Sequence, residues 1–220
     1  LTTGTTSSID VAPGINLTLT GSGIGSGNLT KIGNGTLTLQ GAQAYTGNTT
    51  VSGGTLALGT NERLDNSSHL VVTGGVFSMG GFTETVAGVQ LAGGSITDGT
   101  STLISSSTFD LQSGSASAIL AGTTGTIGAT KTNPSGTVTL SGANTYTGPT
   151  TINEGVLSVS SLVNPPTASN IGQSTNAAAN LVLGGGTLQY TGLTASTNRN
   201  FTLTTGTTSS IDVAPGINLT

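Results

Sequence analysis

Short segments in which polar and apolar residues alternate recur along the chain. Thr36–Leu39 reads TLTL, Thr55–Leu58 reads TLAL and Thr137–Leu140 reads TVTL. A period of two is typical of a strand with one buried face, and Thr and β-branched residues suit a pleated sheet. Gly and Asn separate the segments and suit tight turns. The pattern therefore predicts many strands of three or four residues.

These segments begin about 20 residues apart. A strand this short buries little alone, but coils stacked about 4.8 Å apart bury a continuous core. We therefore predict an all-β, right-handed parallel β-helix, or β-solenoid, with about 20 residues per coil. The predicted starting points are Thr18, Thr36, Thr55, Val76, Ser95, Ser115, Thr137, Val156, Thr187 and Thr202. The predicted core contains Leu37, Leu39, Val51, Leu56, Leu58, Val138, Leu140, Ile152, Leu157 and Val159.

Two longer repeats lie above this spacing. Residues 203–220 repeat residues 1–18 without a substitution, an offset of 202 residues. Within that period, residues 35–58 align with residues 136–159 at 13 of 24 identical positions. We therefore predict one continuous solenoid over 1–220: one 202-residue tandem repeat of roughly ten coils plus the start of the next. The ends are expected to be cut from a longer array, with open coils that stack or aggregate.

The composition narrows the classes of function. A polar, low-complexity chain could be disordered, but regular aliphatic runs favour a fold. Charged residues make up 5% of the chain, and four Lys and Arg cannot form the basic patch that nucleic acid requires. No apolar run approaches the roughly 20 residues of a membrane span. Stacked like charges about 4.8 Å apart repel, so a solenoid favours an uncharged polar exterior.

The two sub-repeats carry a recognisable motif. Leu29–Leu58 (LTKIGNGTLTLQGAQAYTGNTTVSGGTLAL) and Thr130–Val159 resemble the autotransporter-associated β-strand repeat family. The resemblance implies a β-helical passenger of a large exported bacterial surface protein, displayed outside the outer membrane, with no shared catalytic residues. The matching residues are Lys31, Tyr45, Gly47, Lys131, Tyr146 and Gly148.

No group of residues indicates catalysis, a metal or a cofactor. The chain has one histidine and eight acidic residues, and no pair of acids recurs with a basic partner at coil spacing. One histidine with two loop carboxylates is a weak metal site, so we expect a solvated loop over 61–69. This loop and the segment 163–180 are the least strand-like and are candidate interaction loops. Their candidate residues are Glu62, Arg63, Asp65, His69, Asn164, Pro165 and Pro166.

The sequence leaves three functions open. The first is a structural component of an extracellular surface fibre or matrix, whose partner is another copy of itself, joined end to end or laterally. The alternative is an adhesin whose loops bind surface glycans or other cells. The third is ice binding, because Thr202–Thr204, Thr18–Thr20 and Thr36–Thr38 could align as a Thr-x-Thr array. None of the three requires an enzyme or a cofactor.

Overall fold

The chain forms a solenoid of short parallel strands. This is a computed structural model that describes residues 5–220; Leu1–Gly4 of the first repeated segment lie outside the described residues. The predicted β-solenoid of about 20 residues per coil is confirmed, whereas its right-handed sense stays a prediction. Over 5–220, the helical structure is one short 3₁₀ turn, Ala178–Asn180, and no helix there could span a membrane.

Face A is a parallel sheet with one strand from each of ten coils. Thr30, Thr50 and Val71 occupy one outward row of this sheet, in register from coil to coil. The strands of face A are β1 (Thr6–Asp10), β4 (Asn28–Ile32), β7 (Thr49–Val51), β9 (His69–Val72), β12 (Gly88–Leu91), β15 (Phe109–Leu111), β18 (Ala129–Lys131), β20 (Thr150–Ile152), β22 (Leu181–Leu183) and β24 (Thr202–Leu203).

Face B is a second parallel sheet of ten strands. Its inward row stacks Leu37, Leu56, Phe77 and Ile96, all of them buried. The strands of face B are β2 (Asn16–Leu19), β5 (Thr36–Leu39), β8 (Thr55–Leu58), β10 (Val76–Ser78), β13 (Ser95–Thr97), β16 (Gly114–Ala116), β19 (Thr137–Leu140), β21 (Val156–Val159), β23 (Thr187–Tyr190) and β25 (Ser210–Val213).

The third face is discontinuous. It contains a two-stranded sheet, β3 (Ile24–Gly25) and β6 (Ala44–Tyr45), and a three-stranded sheet. Irregular segments occupy this side in the remaining coils, so backbone pairing between neighbouring coils is incomplete there. The strands of the three-stranded sheet are β11 (Thr83–Val86), β14 (Thr102–Ser105) and β17 (Ile119–Gly122).

The interior matches the alternating pattern. All ten residues of the predicted core are buried and belong to one apolar cluster. Polar residues with the same phase point outward along faces A and B. The alternation therefore identified the buried side of both sheets.

Glycines form the corner between faces A and B. Gly35, Gly54, Gly75 and Gly94 follow one another in successive coils, and Gly94 has a positive φ of 64°. A Cβ atom on Gly94 would lie 2.1 Å from the carbonyl oxygen of Gly75 in the coil below. The corner therefore requires both a left-handed backbone and the absence of a side chain.

The predicted Thr-x-Thr array is wrong. Thr18 pairs with Thr38, and Thr36 pairs with Asn16, so the first coil of face B is shifted by two residues from the prediction. Thr202 lies in β24 on face A rather than in the face B series. The 18-residue spacing misled because coils at these positions differ in length, and a two-residue shift preserves the alternation.

Candidate interaction surfaces

The segment 59–68 replaces a strand of the third face between β6 and β11. Its backbone bonds to both neighbouring coils: the Gln43 N–H donates to the Arg63 carbonyl at 2.7 Å, and the Glu62 N–H donates to the Thr83 carbonyl at 3.0 Å. The Leu64 side chain is buried in the core. The predicted solvated loop is therefore an integral part of the solenoid wall.

Glu84 of β11 holds this segment from beneath. Its carboxylate is fully buried and accepts hydrogen bonds from the N–H groups of Arg63 at 2.7 Å and Leu64 at 3.1 Å. Burial raises the pKa of Glu84 to about 7, although those two N–H groups oppose the shift. Glu84 thus provides acceptors where a neighbouring strand would provide carbonyl oxygens.

The charged candidates of this segment do not converge on a common point. The Arg63 guanidinium donates to the carbonyls of Gln40 and Asn61, and Glu62 accepts from the Thr85 hydroxyl at 3.1 Å. Asp65 accepts from the backbone and hydroxyl of Ser67, and these hydrogen bonds lower its pKa. Over residues 5–220, no cluster of three or more His, Asp or Glu side chains could hold a metal ion.

His69 lies outside this segment, which corrects its predicted place in the loop. It is the first residue of β9, exposed on face A, beside a surface groove of about 440 Å³. The groove floor is Gly88, above which the His69 ring and the Ser107 hydroxyl converge. Its other polar lining residues are Asn48, Gln90, Thr108 and Asp110.

A polar network fixes one wall of the groove. Asp110 accepts from the side-chain amides of Gln90 and Gln112, each at 2.8 Å. Its second oxygen accepts from the Thr132 hydroxyl at 2.8 Å. The wall is therefore ordered by side-chain bonds that cross neighbouring coils.

The second candidate loop contains a cis peptide bond between Pro165 and Pro166. The Asn164 side chain accepts from the Asn198 N–H at 2.9 Å, and Arg199 donates to the carbonyls of Val163 and Gly172. Asn164 and Pro166 are exposed. The loop is thus bound to the following coil while its tip faces solvent.

Asn170 anchors the base of this loop. Its buried side chain accepts from the N–H groups of Ser160 and Ser161, each at 2.8 Å, and donates to the Gly142 carbonyl at 3.0 Å. Asn144, also buried, donates to the Asn170 carbonyl and accepts from the Leu120 N–H. Side-chain amides therefore complete the third face here.

We expect Asn170→Ala to destabilise the fold around this loop by about 2 kcal/mol, because two buried N–H groups and one carbonyl lose their partner. Hydrogen exchange should accelerate at the amides of Ser160 and Ser161. The control is Asn180→Ala, which removes bonds to Thr175 near the surface and should leave both amides protected. Unchanged exchange in the Asn170 variant would contradict the anchoring role.

Lys31 and Lys131 are buried, which sequence reasoning missed. The Lys31 ammonium donates to the carbonyls of Ile32 at 2.7 Å, Gly33 at 2.9 Å and Gly53 at 3.2 Å. Burial lowers its pKa, and the charge of Asp10 opposes the shift. The signal was present, because alternation from Leu29 places Lys31 on the inward side.

Comparisons with known proteins agree with this architecture. The passenger-associated-transport-repeat family matches residues 29–58 and 130–159. An "Adhesin BmaC autotransporter" of Brucella suis biovar 1 (strain 1330) is 45% identical over 205 residues, which cover 91% of this chain and 6% of that relative. No solved structure matches the chain significantly. The chain carries two passenger-associated-transport repeats and belongs to the autotransporter-associated repeat family.

Proposed function

We propose that this chain is a segment of the rigid shaft of an exported surface protein, displayed outside the bacterial outer membrane. The observation that carries the proposal is the pair of ten-stranded parallel sheets around one unbroken core. Each coil pairs with the coil above and the coil below, so length can increase without a new fold. The fibre role is a mechanical one and requires no catalytic residue.

The terminal coils support stacking on a further copy. Exposed large apolar side chains of the described residues are concentrated in the first and last coils. The strands of these coils also have unpaired edges, which favour addition of another strand. The partner that fits both features is another coil of the same kind. These side chains are Ile15, Leu17 and Ile24 in the first coil and Leu193, Phe201, Leu203 and Ile211 in the last.

The shaft proposal predicts the length of longer arrays. Chains with one, two and three 202-residue repeats should show constant width and a length that grows by about 45 Å per repeat, from a rise of about 4.8 Å per coil. Small-angle scattering and electron microscopy measure both quantities. Separate globules joined by linkers, or a width that grows with repeat number, would contradict the shaft.

A second candidate function is adhesion through the face A groove. Its polar side chains, including His69, Gln90 and Asp110, offer hydrogen-bond donors and acceptors suited to glycan hydroxyls. The relative named an adhesin supports this candidate. The groove is a stronger candidate than the two loops, because its wall is ordered and its floor is open.

Glycan-array binding tests this candidate with the double variant His69→Ala/Gln90→Ala. We expect bound glycan to be lost, while the control Thr139→Ala on exposed face B should bind normally. Replacement of Asn164, Pro165 and Pro166 by glycine distinguishes the loop. Loss of binding in the loop variant alone would assign adhesion to 163–180 instead of the groove.

A further inference from the structure

The identical segments 1–18 and 203–220 pair with neighbours on opposite sides. In the first copy, β1 pairs with β4 on face A, and β2 pairs with β5 on face B. These neighbours both belong to the following coil. The first copy therefore shows what stacks on the C-terminal side of this sequence.

The second copy shows what stacks on the other side. Its first strand, β25, pairs with β23 on face B. Its second strand follows the third face, where Leu219 bridges Ala195 in parallel. The Ala195 N–H donates to the Asn218 carbonyl at 2.9 Å, and the Thr197 N–H donates to the Thr220 carbonyl at 2.7 Å. One sequence thus occupies faces A and B in one copy, and face B and the third face in the other.

The two placements are compatible within one coil. Ile9 lies opposite Lys31, and Ile211 lies opposite Leu188, so the same isoleucine points inward in both copies. Leu19 and Leu219 likewise pack against the core in their respective copies. Because each copy uses opposite edges of the same strands, both sets of pairs can exist together.

We propose that, in a tandem array, the solenoid continues without a break but advances by one face at each repeat. Face B of one repeat continues as face A of the next, and the third face continues as face B. Nine coils separate β1 from β24 on face A, and the second copy of the β1 sequence lies one face further on. The 202-residue repeat therefore spans nine and one third coils, and three repeats restore the original alignment.

The remaining face tests the consistency of this arrangement. The step between coils is 23 residues from Leu188 to Ile211 on face B and 24 residues from Ala195 to Leu219 on the third face. A step of 24 residues from Thr202 on face A reaches the equivalent of Ile24 in the next repeat. Ile24 begins β3 of the third face. All three faces therefore advance together, with similar coil lengths.

Cysteine pairs in a chain of two consecutive repeats test the proposal, which rests on the proposed shaft. The chain has no native cysteine. Oxidation should link Thr187→Cys with Ser210→Cys, which are partners on face B. In a separate variant, Ser210→Cys should link with cysteine at the second repeat's equivalent of Thr30, because Ser8 pairs with Thr30. Both pairs lie within the Cα separation of paired strands that a disulfide accepts.

Two further pairs complete the design. Ser95→Cys with Ser115→Cys, partners in the middle of face B, sets the yield expected of a correctly stacked pair. Val182→Cys with Ser210→Cys would link only if the second copy returned to face A. Formation of this last link, or failure of either expected link while the Ser95 pair forms, would overturn the advance by one face. A rod that persists in that case would leave the shaft intact, whereas loss of the rod would contradict the shaft itself.

An independent measurement uses Thr108→Cys, exposed on face A, in each of three repeats. Gold labels on these cysteines should lie on three different sides of the rod in electron microscopy. Labels aligned on one side would overturn the proposal even if no disulfide formed in any variant.

Discussion

Replacing Gly94 with alanine should lower the free energy of unfolding by about 3 kcal/mol or more. The left-handed backbone at Gly94 costs about 1–2 kcal/mol for a residue with a Cβ atom. The new methyl group would also lie 2.1 Å from the Gly75 carbonyl oxygen, and overpacking of this kind costs about 1–3 kcal/mol. Urea-induced unfolding, followed by circular dichroism, measures the difference.

Gly81→Ala is the matched control for this prediction. Gly81 also has a positive φ, 89°, but a Cβ atom there would meet nothing within 4 Å. We expect a loss of about 1–2 kcal/mol from backbone strain alone. Equal effects of the two variants would show that the close stacking of corner glycines does not limit the side chain.

Raising the pH from 4 to 8 should destabilise the protein through Glu84 by about 3 kcal/mol. The folded-state pKa of about 7 lies above the ordinary value of 4.5, so the folded state holds this proton more tightly. The resulting stability is fully present below pH 4.5 and is lost as the pH rises through 7. Hydrogen exchange at the amides of Arg63 and Leu64, measured with urea unfolding across this range, should accelerate as stability falls.

Glu84→Gln should remove this pH dependence, because the amide cannot ionise. Its stability at pH 8 should therefore exceed its stability relative to the parent at pH 4. Glu154→Gln on the surface is the control for loss of one negative charge and should retain the dependence of the parent. A Glu84 variant with the same pH profile as the parent would show that another group is responsible.

Alternation was sufficient to predict faces A and B. A period of two identifies the inward side of a strand, and stacking then places equivalent aliphatic residues above one another. Leu37, Leu56 and Leu58 were therefore assigned to the core correctly. The motif of the two sub-repeats also identified the family.

Features governed by contacts between distant coils were not predicted. Alternation placed Lys31 inward, but its charge favoured the surface until the structure showed three carbonyl acceptors. Glu84 replaces a missing strand, and its role depends on a segment about 20 residues earlier. The register of Thr18 depended on the length of an intervening turn. In each case, the deciding interaction joins separate coils and leaves no local pattern.

The stacking of coils also determines how such a rod would respond to tension. The hydrogen bonds between coils run along the long axis, so a pull on the two ends would load the bonds of one terminal coil at a time. A folded coil adds about 4.8 Å to the length, whereas its roughly 20 residues span about 70 Å when extended. Successive peeling of coils would lengthen the rod many-fold and dissipate mechanical work, while the coils that remain folded keep their structure.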